Sequence, residues 1–287
     1  MPKRKEKDIK DQDVYRSLPT NRKELFFDLL KHRKMDMFYL SCLTFIFFLP
    51  LAVDLLFFNY LEIIAMSNGN EEHLFSLIFY SMIIMLPCML IGFIGLAGAF
   101  YSAKKLVWQE LVIPASDFFK GIKENWKHAL IHGMLFGIVT FGLVVGGIYL
   151  YLYSPAGQVT NGIGIGVLIV LFIIFGILTS LMLAQDVYYE NTYRHTFKNA
   201  FSFLVLTNWK TMLLFILTTG VLVALCAINL VTIIVGLVLF ALCNYLVIVL
   251  YTLIAHSVFD KYINKEHYPN MINKGLYKKQ EETVKEA

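Results

Sequence analysis

Residues 211–259 read TMLLFILTTGVLVALCAINLVTIIVGLVLFALCNYLVIVLYTLIAHSVF and contain no lysine, arginine, aspartate or glutamate. As one α-helix, these 49 residues would be about 74 Å long at 1.5 Å per residue, more than twice the thickness of a bilayer's hydrocarbon core. The block must therefore fold back on itself, and a turn fits best at the polar residues Asn229 and Thr232. We expect two transmembrane helices here, over residues 211–229 and 232–259.

Four further apolar segments precede this block, over residues 38–58, 75–101, 128–152 and 162–184. Each is close to the ~20 residues that a helix needs to cross the hydrocarbon core, or longer. The chain is 57% hydrophobic and 16% charged, whereas a soluble domain carries about 25% charged residues. The sequence therefore predicts an all-α, polytopic membrane protein with six transmembrane helices.

The positive charges predict the orientation of these helices. All 25 lysines and arginines fall in four blocks, with 11 before residue 35, five in 104–127, three in 194–210 and six from residue 261 onward. The intervening segments 59–73 and 153–161 contain none. Because cytoplasmic loops are enriched in lysine and arginine, both termini are predicted to be cytoplasmic in a multi-pass protein of the cell membrane. The net charge of +4 predicts that the basic segments face anionic membrane lipids, and we expect no nucleic-acid partner.

Three parts follow from this layout: a basic cytoplasmic segment, 1–35, a transmembrane domain, 36–260, and a cytoplasmic tail, 261–287. Amphipathic helices are expected on the cytoplasmic side, one of them within 1–35, where Asn21 and Glu24 fit a capping pattern. A second is expected over 116–127 with Ser116 as its N-cap. A third follows Tyr193. Aromatic side chains of these segments are predicted to lie in the membrane interface: Phe118, Phe119, Trp126, Phe197, Phe201 and Trp209.

Several stretches resemble the YesL-like family of bacterial membrane proteins. They are the glycines at 92, 95 and 98, which lead through Tyr101 and Lys105 to DFFKGIKENWK at 117–127, together with RKELFFDLL at 22–30 and TFKNAF at 196–201. The resemblance covers most of the chain, from about residue 21 to residue 261. It implies a helical protein often found near carbohydrate-uptake systems, without an established activity or catalytic residues. A solute-uptake membrane complex is therefore an expected partner.

Histidines and carboxylates concentrate at the predicted cytoplasmic helix ends. His128 and His132 are four residues apart and so share one helix face. The ends of two other spans bring acidic and imidazole groups to the same level: Asp186, Glu190, His256 and Asp260. Such groups can hold zinc with an open position for water, although HALIH at 128–132 lacks the glutamate of the HExxH motif. The alternative is that these side chains collect there because helix ends meet water and headgroups.

Two polar residues stand out inside the spans. Asp54 is the only charged residue well inside an apolar segment, where a carboxylate costs at least ~2.5 kcal/mol at the membrane centre. It either serves a function or reaches the external interface, since it lies near the outer end of the first span. Asn244, with Thr218 or Thr219, is the most obvious start for a polar site near the midplane.

Three functions remain open. The first is a non-enzymatic accessory or scaffold protein, linked to carbohydrate uptake by the resemblance. The second is a small-solute transporter. The third is an interfacial metal-dependent membrane enzyme built on His128, His132 and His256. We favour the first because the polar side chains in the spans are mostly isolated, and we expect no cofactor.

Overall fold

The computed structural model describes residues 19–67, 71–152, 154–155, 157–206, 213, 216–221, 225 and 229–277. All regular structure within these ranges is helical. The longer helices are α1 Arg22–His32, α2 Lys34–Ser67, α3 Glu71–Val107, α4 Pro114–Leu152, α5 Gln158–Tyr188, α6 Tyr193–Leu206 and α7 Leu230–Phe259. A short π-helix covers Ile216–Gly220. After α7 the chain continues through a π-helical turn, Asp260–Asn264, a helical turn, Lys265–His267, and a 3-10 turn, Pro269–Met271.

Five of these helices, α2, α3, α4, α5 and α7, are long and apolar enough to cross a membrane. This result confirms an all-helical chain of the polytopic membrane type. The remaining predicted span, over residues 211–229, lies mostly outside the described residues. Its predicted end is visible, because Asn229 is the N-cap of α7 and exchanges hydrogen bonds with Thr232 in a capping box.

The four helices α2 to α5 run alternately up and down, with α3 packed between α2 and α4, and α5 beside α4. Helix α7 packs against α2 and α3 and closes the bundle. Four segments meet at one end of the bundle: α1, residues 108–113, residues 189–192 and residues 260–277. We call this the capped end. The backbone N–H of Tyr277 donates there to the carbonyl of Pro19 at 3.0 Å, so the two ends of the described chain lie side by side.

Two predicted boundaries are wrong. The segment over 59–73, which separates the first two predicted spans, is largely helical, because α2 continues to Ser67 and α3 begins at Glu71. Charge marks the side of a membrane but does not stop a helix, and the sequence LEIIAMS at 61–67 contains no helix breaker.

The predicted interfacial helix over 116–127 is also not a separate element, because it and the span over 128–152 form the single helix α4. That helix begins at Pro114, so Ser116 is not its N-cap. A proline suits the first helical position. The Asp117 carboxylate stabilises the N-terminus of α4 by accepting a hydrogen bond from the N–H of Ile113 at 2.8 Å.

Glycines let α3 approach its neighbours closely near the capped end. A Cβ on Gly95 would lie 2.5 Å from Cβ of Phe47 on α2, and a Cβ on Gly98 would lie 2.6 Å from the carbonyl oxygen of Phe118 on α4. Both distances are below van der Waals contact. Most of the largest fully buried side chains, among them Phe118 and Phe259, lie in this half of the bundle. The capped end is therefore the tightly packed end of the fold.

Candidate functional site at the capped end

Asp186, near the end of α5, joins three helices through its carboxylate. Nε2 of His132 on α4 lies 2.5 Å from one carboxylate oxygen, and Nδ1 of His128 lies 3.3 Å from the other. The hydroxyl of Thr196 on α6 donates to that second oxygen at 3.1 Å. Asp186 and His132 are buried, whereas His128 is partly exposed. The carboxylate thus holds α4 and α6 against α5.

Polar atoms around this group remain unpaired within the described part of the chain. Nδ1 of His132 and both amide atoms of Gln185 are buried without a hydrogen-bond partner there. The ring of Tyr193 stacks on His132, with 5.6 Å between ring centroids. Burial and the negative charge of Asp186 raise the pKa of the Tyr193 phenol. The phenol therefore stays neutral and serves as a packing surface for the imidazole.

A second group forms around Asp260, just beyond α7. The guanidinium of Arg22 on α1 forms an ion pair with Asp260 and also donates to Nδ1 of His256 at 2.9 Å. Because arginine has no acceptor, Nδ1 must carry the lone pair and the His256 proton sits on Nε2. That nitrogen lies 3.5 Å from a carboxylate oxygen of Asp260, which can accept its proton. The Nε1–H of Trp108 also lies 3.5 Å from Nε2, but indole is only a donor, so this contact is not a hydrogen bond in that tautomer. Arg22 therefore holds a fully buried imidazole in position.

The Asp260 carboxylate also anchors the segment that follows α7. It accepts hydrogen bonds from the Asn264 amide at 2.7 Å and from the backbone N–H of Asn273 at 3.1 Å. Asn264 in turn accepts a 2.7 Å hydrogen bond from the hydroxyl of Tyr189. One carboxylate therefore connects α1, the end of α7 and, through Asn264, the link between α5 and α6.

A third set of contacts closes the loop between α3 and α4. Nζ of Lys274 lies 3.6 Å from the ring centroid of Trp108 and 2.9 Å from the Glu110 carboxylate. Gly275 adopts a φ of +87°, and a Cβ there would lie 2.1 Å from the carbonyl of Val107. The C-terminal segment can lie this close to α3 only because residue 275 is a glycine.

The structure divides the histidine–carboxylate cluster predicted from the sequence. His128, His132 and Asp186 contact one another, whereas His256 and Asp260 belong to the Arg22 group, and the Glu190 side chain is exposed. Within the described ranges, no group of three or more His, Cys, Asp or Glu residues is arranged to hold a metal ion. A separation of 2.5 Å between His132 and Asp186 leaves no room for an ion between them, since zinc lies about 2.0 Å from each ligand.

Of the aromatic residues predicted at the interface, Phe118 is placed differently. It is fully buried and packs on Phe47, with ring centroids 5.7 Å apart. Gly98 provides the space for it on α3, which is why this face of α4 points inward. The side chains of Phe119, Trp126, Phe197 and Phe201 are exposed, and their place in the membrane interface stays a prediction. Trp209 lies outside the described residues.

The two intramembrane polar residues are both buried between helices. The amide nitrogen of Asn244 donates to the carbonyls of Ser41 at 3.0 Å and of Phe240 at 2.8 Å. Asn244 therefore joins α7 to α2, and its donor group is used in helix packing. Asp54 lies between α2 and α3 next to Ser81, and it does not reach the surface of the described bundle.

An open cleft lies between α6 and the segment after α7, with a volume of about 340 Å³. Imidazole, amide and phenol groups and two apolar side chains line it. The lining residues are Tyr189, Asn191, His195, Asn199, Phe203, Tyr262, Ile263, His267 and Tyr268. The i, i+4 spacing of positions 191, 195, 199 and 203 was visible in the sequence. Their partners beyond residue 260 could not be assigned without the fold.

No protein-family model, curated protein or solved structure matches this chain. The resemblance to the YesL-like family therefore rests on the residues quoted above and stays a prediction.

Proposed function

We propose that this chain is a six-span protein of the cell membrane with its capped end in the cytoplasm, and that it acts as a non-enzymatic accessory or scaffold protein. The capped end would bind another membrane protein, in keeping with the resemblance to proteins found near solute-uptake systems. The positive-inside rule supports this orientation, because the described basic residues near helix ends lie at the capped end.

The positions of α6 and α7 support a sixth span. Helix α6 packs at the capped end, where Phe203 contacts Phe259 with ring centroids 5.9 Å apart. Helix α7 begins at Leu230 and reaches the capped end only at Phe259, about 44 Å later at 1.5 Å per residue. A chain that leaves α6 must therefore travel the length of the bundle before α7 begins, which is what the span predicted over 211–229 would do.

The observation that carries the accessory role is the pairing of charges at the capped end. Asp186, Asp260, Glu110 and Asp117 each contact a basic or imidazole group from another part of the chain. A hydrolytic or metal-dependent site keeps a nucleophile or a coordination position open. Here the same groups are used to join segments, which suits a rigid docking platform better than a reaction centre.

The exposed surface of this platform suits a protein partner. Aromatic residues are enriched where proteins bind each other and often fill pockets of the partner. Phe119 and Trp126 on α4 and Phe197 and Phe201 on α6 provide such anchors. The cleft beside α6 can accept an anchor from the partner in return.

Site-specific photo-crosslinking in native membranes tests this role. A benzophenone amino acid at position 201 is expected to give the same protein adduct in every preparation, identified by mass spectrometry. The control is the same probe at position 151, an exposed tyrosine near the far end of α4, which is expected to capture lipid or other proteins. Adducts with lipid alone from position 201 and from positions 119 and 197 would refute the docking role.

Cysteine labelling tests the orientation separately. In a cysteine-free background, a cysteine at Val159 is expected to react with an impermeant maleimide in intact cells. One at His267 is expected to react only after permeabilisation. The reverse pattern would place the capped end outside.

Metal analysis tests the enzymatic alternative. Zinc or iron near one ion per chain that is lost in His132→Ala but kept in His195→Ala would favour a metal-dependent enzyme over a scaffold.

A further inference from the structure

Asp54 is a carboxylate buried within the apolar helix α2. Its exposed fraction is 5%, and that of Ser81 on α3, beside it, is 6%. The Ser81 hydroxyl donates to Oδ2 of Asp54 at 3.4 Å, which is a long hydrogen bond. The other oxygen, Oδ1, is buried and has no hydrogen-bond partner in the described part of the chain.

Among the described residues, none provides a positive charge next to Asp54. On α3, the groups that face it are the Ser81 hydroxyl and the thiol of Cys88. No described lysine, arginine or histidine from α4 or α7 interacts with it. An ionised carboxylate costs several kcal/mol in apolar surroundings unless a cation or several donors compensate it, whereas a neutral carboxyl group does not carry this penalty.

The number of oxygen ligands limits what Asp54 can bind. Hard metal cations such as Ca²⁺ or Mg²⁺ are held by about six oxygen ligands. Asp54 and Ser81 together offer three oxygen atoms, while a proton needs only one. The unpartnered Oδ1 is the oxygen to which a proton would bind, because Oδ2 already accepts from Ser81.

We propose that Asp54 and Ser81 form a proton-binding site between α2 and α3, in which the carboxyl of Asp54 holds the proton. The proton can exchange with water when the α2–α3 contact opens, and the charge inside the bundle then changes by one. This inference is independent of the docking role of the capped end, since Asp54 and Ser81 lie in the other half of α2 and α3. It would give a small-solute transporter, the second function left open by the sequence, a site for coupling to protons.

A hydrophobic carbodiimide tests the proposal on the full chain in lipid vesicles. Dicyclohexylcarbodiimide reacts with a protonated carboxyl in an apolar site. The acid proton moves to a nitrogen of the reagent, and the carboxyl oxygen bonds to its central carbon. Peptide mass spectrometry is expected to find the adduct on Asp54. Its rate should fall about tenfold per pH unit above the midpoint, as for release of one proton.

Two variants and one competitor make the result decisive. Asp54→Asn keeps the shape of the side chain and should fold, with loss of the adduct on that peptide. Ser81→Ala should react at least as fast, because it removes a hydrogen bond that favours the ionised form. No adduct on Asp54 at any pH would overturn the proposal. Protection by sodium or potassium at constant pH would overturn it as well, since a metal cation would then occupy the site.

Discussion

Replacing Arg22 with alanine should destabilise the protein by about 2–3 kcal/mol. Removing one partner of a buried ion pair costs about 3–5 kcal/mol, whereas an exposed pair is worth about 0–1 kcal/mol. The Arg22 and Asp260 side chains are 16% and 11% exposed, so the pair belongs nearer to the buried limit. The variant also leaves Nδ1 of His256 without its donor. The expected loss corresponds to about a 30- to 150-fold change in the unfolding equilibrium.

The matched control is Arg33→Ala. Arg33 pairs with Asp36 at 3.2 Å, but these side chains are 39% and 26% exposed, and the loss should stay below about 1 kcal/mol. The loss of stability in Arg22→Lys should lie between the losses in Arg22→Ala and Arg33→Ala, because lysine keeps the charge but cannot contact Asp260 and His256 through one planar group. Reversible unfolding by SDS in mixed micelles, followed by circular dichroism, measures all three variants.

Two results would refute the reasoning. One is a loss in Arg22→Ala that equals the loss in Arg33→Ala within about 0.5 kcal/mol. The other concerns the double variant Arg22→Ala, Asp260→Ala. Removing both charges should cost less than the sum of the single changes, because neither charge is left unpaired. Strict additivity would show that the two side chains do not stabilise each other.

Three further changes test the fold. Gly98→Ala should lower the melting temperature in detergent because its Cβ would lie 2.6 Å from a backbone oxygen, an overpacking that costs about 1–3 kcal/mol. Gly142→Ala is the control, because a Cβ there would have nothing within 4 Å, and it should leave the melting temperature unchanged or slightly raised. Equal melting temperatures for the Gly98→Ala and Gly142→Ala variants would contradict the close packing of α3 against α4 at Gly98. Asn229→Ala should lower the stability of the protein by about 1 kcal/mol, and Asn229→Ser by much less. In Asn229→Ala, hydrogen exchange should become faster only in the first turn of α7, which tests the cap. Hydrogen bonds from the N–H and hydroxyl of Thr20 lower the pKa of Glu24, so its stabilising effect is present at neutral pH and is lost as the pH falls through that lowered value. Amide hydrogen exchange at the start of α1, corrected for intrinsic rates, should therefore become faster on acidification. The increase should be smaller in Glu24→Gln, which has no carboxylate to protonate.

The membrane-spanning helices could be predicted because one physical constraint acts on all of them. A segment that crosses the hydrocarbon core must be apolar over about 20 residues, and this requirement is visible in the sequence. Where each helix ends could not be predicted in the same way. The absence of lysine and arginine over 59–73 predicts a side of the membrane, yet α2 includes Glu62 and α3 begins at Glu71. The sequence 114–152 likewise contains no signal that separates a surface helix from a span.

The candidate site was predicted in part. The i, i+4 spacing of His128 and His132 placed both on one helix face, and the structure brings both to Asp186. Arg22 was missed because it is one of 11 basic residues before residue 35, and nothing local distinguishes it. Its partners belong to the far end of the chain. Phe118 was misplaced because periodicity identifies an aromatic face but does not say whether lipid or another helix covers it.

The ion pair between Arg22 on α1 and Asp260 just beyond α7 has a consequence for synthesis. Arg22 is separated from His256 by 234 residues and from Asp260 by 238. At about 5–20 residues per second, a ribosome needs roughly 12–48 s to add that much chain. During this interval the capped end cannot close, and Arg22 stays available to chaperones and proteases. A chain that stops before His256 lacks both of these partners, so the contacts of Arg22 with them cannot form.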